Sequence, residues 1–136
     1  MKRLVLVVED DPALLKAMTQ QLEKMDFEVV GALHYDAAVQ QLTIRKPHLV
    51  CIDLELPVQS GYELCEHIRG PLGNTIVPIL VTGDSGSPKE MAHAEEAGAN
   101  AFLKKPFTMV QLAAYVETLF QQIHLSQPFM RLLQLQ

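Results

Sequence analysis

Four short stretches of this sequence end in side chains that could act together on a phosphoryl group. Glu9-Asp10-Asp11 follows the apolar run Leu4 to Val8, and Asp53 follows His48-Leu-Val-Cys-Ile. Thr82 stands in Val81-Thr82-Gly83, and Lys105 in Lys104-Lys105-Pro106. Singly, each has an ordinary explanation. A loop acid is normally solvated, a threonine before glycine can simply form a turn, and a lysine at a strand end normally reaches water. Solvation is the reading we keep for Lys104. Together the residues say more. Carboxylates that share a crevice repel each other and raise one another's pKa, unless a cation intervenes. Mg²⁺ suits such a site because it prefers oxygen ligands and is usually held by one or two carboxylates plus water or phosphoryl oxygens. The carboxylate of Asp53 could then act as nucleophile and form an acyl phosphate. Mg²⁺ and the Lys105 ammonium would neutralise the transferred group, and the Thr82 hydroxyl would donate to one of its oxygens.

Other chemistries fit less well. His34, His48, His67, His93 and His124 are scattered, which argues against a zinc site. Glu63 and His67 share a helix face at i, i+4, a spacing that surface polarity explains. There is no P-loop pattern, so the phosphoryl donor is not expected to be a nucleotide bound here.

The four stretches can meet only if the elements between them bring their ends to one edge. Strands are expected over 4–8, 27–33, 49–52, 76–81 and 101–103, the first and third buried, with Pro78 tolerated near the start of the fourth. Asp11 and Pro12 open a helix over about 12–25, whose apolar face is Leu14, Leu15, Met18, Leu22 and Met25. Asp36 caps a short helix carrying Ala38, Val39 and Leu42, which Lys46-Pro47 closes. Ser60-Gly-Tyr-Glu63 and Ser87-Pro-Lys-Glu90 each fit a capping box. The first opens a helix with Leu64, Cys65 and Ile68 inward, and the second a helix ending at Ala97-Gly98. Gly70 to Asn74 is a clear loop. Thr108 with Gln111 opens a last helix through Leu112, Val116, Leu119 and Ile123.

Strands alternating with helices imply an α/β fold, a five-stranded parallel sheet covered on both faces. The doubly wound (βα)5 three-layer sandwich with strand order 2-1-3-4-5 places its crevice at the carboxyl ends of the strands, near the switch point between strands 1 and 3. The acids after those two strands are therefore expected to meet.

Composition bounds the rest. A chain of 136 residues is about one domain. A formal net charge of −5 gives no basic field for nucleic acid or an anionic membrane. There is no tract of ~18 apolar residues and no signal peptide pattern. Cys51 and Cys65 lie inside apolar patterns and read as small buried hydrophobes of a reducing compartment. A cytoplasmic, soluble protein is the expectation. The domain is placed at 1–124, with 125–136 as a C-terminal extension. There Pro128 could start a short helix with Phe129, Leu132 and Leu133 on one side, or a linker could begin.

The residues now in hand resemble the response-regulator receiver domain of bacterial two-component signalling. The likeness covers about residues 3 to 124. It rests on Val7-Val8-Glu9-Asp10-Asp11, Asp53 with Pro57 and Gly61, Val81-Thr82-Gly83, and Phe102-Leu-Lys-Lys105-Pro106-Phe107, all in order. The resemblance implies that Asp53 accepts phosphate from a histidine kinase or phosphotransfer protein. It implies that Asp10 and Asp53 bind Mg²⁺ (or Mn²⁺) directly, Glu9 through water, and Glu55 through its backbone carbonyl. Asp11 is not a ligand in this family, which agrees with its capping role. Thr82 and Phe102 would be a switch pair: the hydroxyl moves toward the phosphoryl group, the ring follows inward, and the face made by the fourth helix, fifth strand and fifth helix is altered for a downstream protein target. That face or the tail could also serve a homodimer. Glu55 and Asp84, two residues beyond Asp53 and Thr82, stand where the family tunes phosphoryl lifetime. Phe102 in place of tyrosine removes a hydroxyl that could bond outward. Two competing readings are a metal-dependent phosphohydrolase, which Glu55 superficially imitates, and a receiver-like adaptor that works without phosphorylation.

Overall fold

The computed structural model describes residues 2–123. The elements run β1 (Leu4–Val8), α1 (Pro12–Lys24), β2 (Glu28–Ala32), α2 (Tyr35–Ile44), β3 (Leu49–Asp53), α3 (Gly61–Arg69), β4 (Ile79–Gly83), α4 (Pro88–Ala97), β5 (Ala101–Lys104) and α5 (Met109–Ile123). The strands form one parallel sheet in the order β2-β1-β3-β4-β5. The expected architecture is therefore the observed one. The readings of 125–136, including the helix at Pro128, lie outside the described residues.

The period-2 alternation of strand side chains divides the core in two. Val5, Val7, Leu49, Cys51, Leu80, Ala101 and Leu103 face α1 and α5, where they meet Met18, Leu22, Leu112, Val116 and Leu119. Leu6, Val8, Val50, Ile52, Ile79, Val81 and Phe102 face the other layer and pack with Ala38, Leu64, Cys65, Ile68, Ala94 and Ala97. Both cysteines are free and buried, one in each core. Burial pushes each thiol up to about 12, so neither is ionised near neutrality.

Caps set most helix starts. Asp11 accepts from Ala13 N at 3.0 Å and from Leu14 N at 3.5 Å. Thr108 and Gln111 form the full reciprocal box, each side chain accepting the other's backbone N–H at 3.0 and 2.8 Å. Three local expectations shift. The cap of α2 is His34, whose ring Nδ1 accepts from Ala37 N at 3.2 Å, and Asp36 lies in the helix's first turn. Strand β4 begins at Ile79, three residues late, because the Asn74 side chain accepts both Ile76 N and Val77 N and curls that segment into a turn. The box at Ser87 is half-formed. Ser87 Oγ accepts from Glu90 N, but Glu90 reaches past it to Gly86 N.

Candidate functional site

The sheet register builds the pocket. Asp53 pairs with Thr82 across β3 and β4, and Gly83 pairs with Lys104 across β4 and β5. The ladder then continues one step into the loops: Leu54 N donates to Thr82 O at 2.9 Å and Lys105 N to Gly83 O at 2.8 Å. On the other side Glu9 N donates to Ala32 O at 3.0 Å, which continues β1 one residue beyond Val8. Consecutive residues past a strand end therefore occupy fixed positions, and Glu9, Asp53, Thr82 and Lys105 converge. Among the described residues, the buried polar or charged side chains are Glu9, Asp53 and Thr82, and all three line this one pocket. The Lys105–Pro106 peptide is cis.

Lys105 Nζ lies 3.1 Å from Glu9 Oε1 and 3.2 Å from Asp53 Oδ2, so one ammonium serves two carboxylates. Asp53 Oδ1 accepts from Glu55 N at 2.9 Å, and Glu9 Oε2 accepts from Asp11 N at 3.1 Å. These contacts do not cancel the cost of burial. Burial, helped by the Asp53 charge, raises Glu9 to about 7 against the pull of the Asp11 amide and Lys105. Asp53 is also raised, by burial first and by Asp10 second, while the Glu55 amide and Lys105 oppose the rise. Burial works against the Lys105 ammonium, but the charges of Asp53 and Glu9 outweigh it, and its pKa is raised. The pocket holds more negative charge than Lys105 can match.

The donor set fits a hard divalent cation. One carboxylate oxygen each from Glu9, Asp10 and Asp53 lies within 4.8 Å of the others, and Asp10 is the exposed member. Oxygen donors alone, one of them open to solvent, match the Mg²⁺ pattern of a few carboxylates with room for water. A second observation points the same way. Among the described residues Thr82 Oγ1 is buried with no hydrogen-bond partner, an arrangement that costs free energy and leaves the hydroxyl open to another acceptor.

The surroundings are tightly fixed. A Cβ on Gly61 would stand 2.3 Å from the carbonyl oxygen of Asp53, so only glycine lets α3 start directly beneath the acid. In the sequence Gly61 stands within the Ser60–Glu63 capping box and among the residues of the receiver resemblance; the close approach to Asp53 has no signal of its own there. Glu55 and Asp84 do meet, since Glu55 Oε1 accepts from Asp84 N at 3.0 Å. Glu55 is raised by burial and then by Asp84. The Phe102 ring is 3% exposed and already lies inside, its Cζ 3.0 Å from where a Cβ on Gly83 would be. Lys104 is exposed, as expected.

Residues 5–117 match the family model described as the response regulator receiver domain. The chain belongs to the receiver-domain family. Among curated relatives, this receiver is 28% identical over 120 residues to the sensory transduction protein BceR of Halalkalibacterium halodurans, covering 88% of this chain and 51% of that protein. It is 30% identical over 123 residues to the phosphate regulon transcriptional regulatory protein PhoB of Escherichia coli K12, covering 90% of this chain and 54% of PhoB. The chain thus spans about half the length of the curated relatives it matches. Among solved structures, the beryllofluoride-activated DrrB receiver domain superposes with a TM-score of 0.78 at 26% identity, covering 89% of this chain and 99% of that one. No helix among the described residues is long and apolar enough to cross a membrane.

Proposed function

We propose that Asp53 is the phosphoacceptor of this receiver and that the site works as a signalling switch with no multiple-turnover chemistry of its own. The observation that carries this is the convergence of Glu9, Asp53 and Thr82, the buried polar groups of the described chain, on one pocket with Lys105 between the acids. A carboxylate oxygen of Asp53 attacks the phosphorus of a phosphohistidine on a sensor kinase or phosphotransfer protein. The P–N bond breaks as the P–O bond forms, and the histidine nitrogen departs with the electron pair. Asp10 and Asp53 would hold Mg²⁺ directly, with Glu9 acting through water and Glu55 through its backbone carbonyl. The bound cation would supply charge neutralisation for the incoming phosphoryl oxygens. Lys105 loses one anionic partner's oxygen and gains phosphoryl oxygens, while Thr82 Oγ1 donates the hydrogen bond it lacks in the resting pocket.

Thr82 and Phe102 remain the switch pair in this reading, with one change of emphasis. The ring is already inside, so Thr82 and the loop after it carry the response. The readout surface is α4, β5 and α5, presented to a downstream protein or a second copy of the chain. Glu55 and Asp84 border the pocket mouth and set how water reaches the acyl phosphate. Residues 1–124 act as the receiver unit in the cytoplasm, without direct nucleic-acid contact, and 125–136 extend it. Labelling by acetyl phosphate that requires Mg²⁺ and is absent in Asp53→Asn is the expected result. A wild type that does not label would overturn the proposal in favour of an adaptor, and sustained hydrolysis of a phosphomonoester would favour a phosphohydrolase.

A further inference from the structure

The segment that follows Thr82 is held by two carboxylates from two different elements. Between Gly83 at the end of β4 and Pro88 at the start of α4, Asp84 N donates to Glu55 Oε1 at 3.0 Å and Gly86 N donates to Glu90 Oε1 at 2.9 Å. Glu55 belongs to the loop that follows Asp53, and Glu90 to the first turn of α4. The same Glu90 oxygen lies 3.1 Å from where a Cβ on Gly83 would stand, with the Phe102 ring at 3.0 Å and Leu54 Cδ1 at 3.3 Å as its other neighbours. Gly83 is therefore enclosed by the carboxylate of α4, the ring of β5 and Leu54, immediately next to Thr82, whose hydroxyl is unpaired among the described residues. Capping does not require this reach, because Ser87 Oγ already accepts Glu90 N at 3.1 Å. Further along, α4 leans on α3 through Tyr62 stacked on His93, ring centroids 3.7 Å apart, and its C-terminal Gly98 is clamped by Arg69.

We infer that Glu90 is the positioning residue that ties the 84–87 loop to α4, so that a displacement at Thr82 and Gly83 reaches the helix through its carboxylate. The inference rests on the phosphoacceptor reading of Asp53. Phe102 is already inside, so inward travel of the ring does not move α4 here. A shift of Thr82 toward a phosphoryl group draws Gly83 with it, and Gly83 has the Glu90 oxygen against it. The loop amide bonded to that oxygen moves in step, and the first turn of α4 follows because the carboxylate is part of it. Removing the acceptor leaves Asp53, its cation ligands, Thr82 and Lys105 in place and cuts the link between pocket and helix.

Hydrogen exchange with beryllofluoride and Mg²⁺ as the phosphoryl stand-in tests this on the full chain, comparing wild type, Glu90→Ala and Glu90→Gln. Before the analogue is added, peptides covering Gly86 should exchange about tenfold faster in Glu90→Ala, the effect of one lost hydrogen bond. With the analogue, wild type should change around Asp53 and across 88–97. In Glu90→Ala the change around Asp53 should persist while that across 88–97 is lost. Glu90→Gln, whose amide oxygen can still accept the Gly86 N–H, should keep both. Equal α4 responses in wild type and Glu90→Ala would overturn the inference, as would loss of the response in Glu90→Gln. Glu90→Leu, which keeps bulk without an acceptor, replaces Glu90→Ala should that variant fail to fold. A wild type with no analogue-dependent change around Asp53 would overturn the phosphoacceptor reading, and this inference with it.

Discussion

The two edges of the sheet treat charge in opposite ways. At the amino ends of the strands, Arg69 sits half-buried and spends its guanidinium on neutral acceptors. Its Nε and Nη2 donate to Gly98 O at 3.1 and 2.8 Å, Nη1 to Asn74 O at 3.0 Å and Val77 O at 2.7 Å, and Nη2 also to Asn100 Oδ1 at 2.9 Å. Asn100 Oδ1 in turn accepts Ile79 N at 2.8 Å. Among these contacts the cation lacks an anionic partner, yet its donors are well used, and it joins the end of α3, the turn before β4 and the cap of α4. At the carboxyl ends, Glu9 and Asp53 are more deeply buried and share one ammonium, with a hydroxyl beside them that has no partner among the described residues. A satisfied buried charge stabilises the fold, whereas an unsatisfied one is retained for a ligand. The prediction that separates them is that the Arg69 edge holds stability and the acid edge holds chemistry.

The largest effect should come from Arg69→Ala, which strands several backbone carbonyls. We expect a loss of about 3–4 kcal/mol in urea unfolding, with acetyl-phosphate labelling retained while the chain is folded. Loss of labelling in a folded Arg69 variant would break the comparison. Lys105→Met should do the reverse, costing about 2 kcal/mol at pH 7 because Glu9 and Asp53 can protonate when their cation goes, but cutting labelling by at least tenfold.

A pH titration sharpens the contrast. Glu9 holds its proton to about pH 7 when folded and to about 4.5 otherwise. Between those values the folded chain binds more protons than the unfolded one, so the slope of unfolding free energy with pH is negative. Without divalent cation, stability should fall by about 2–3 kcal/mol as pH rises from 4.5 to 7, and Asp53, also raised, adds in the same sense. Glu9→Gln should flatten this decline, and saturating Mg²⁺ should offset it by binding the ionised, folded form. A rise in stability across that window in metal-free buffer would show the pocket acids to be well compensated after all. The smallest effect is a control: Thr108→Ala removes an α5 cap whose bonds go to Gln111 and to none of the pocket groups, and should cost about 1 kcal/mol, leaving labelling and its pH dependence unchanged.

Much of this was legible in the residues because burial leaves local marks. Runs such as Leu4–Val8 and Leu49–Ile52 are apolar throughout, as strands covered on both faces must be, and their alternation with helical periodicities fixed the fold class. The candidate site was legible because a doubly wound sheet sends its loops to one edge, so Glu9, Asp53, Thr82 and Lys105 could be assembled from strand ends alone. Other features left no mark. Ile76 and Val77 carry strand-like side chains, but an asparagine side chain took the backbone amides that a strand would have used. Glu90 reads as a capping-box acid at three-residue spacing, and its bond to Gly86 N, past Ser87, has no mark in that spacing. Arg69 looks like any basic residue in a helix's last turn until the turn before β4 and the end of α4 close around it.

By itself, then, the sequence determined which apolar runs form the inner strands, where most helices begin, and which side chains the topology would gather, because pattern and capping act over a few neighbouring residues. Tertiary structure alone decided how the gathered groups are satisfied. The sharing of Lys105 between two acids, the orphaned Thr82 hydroxyl, the inward Phe102 ring and the Glu90 bond to Gly86 depend on ångström-scale distances between segments remote in sequence. Hydrogen bonding and the electrostatics of a desolvated pocket change steeply over those distances, and residue order does not encode them locally.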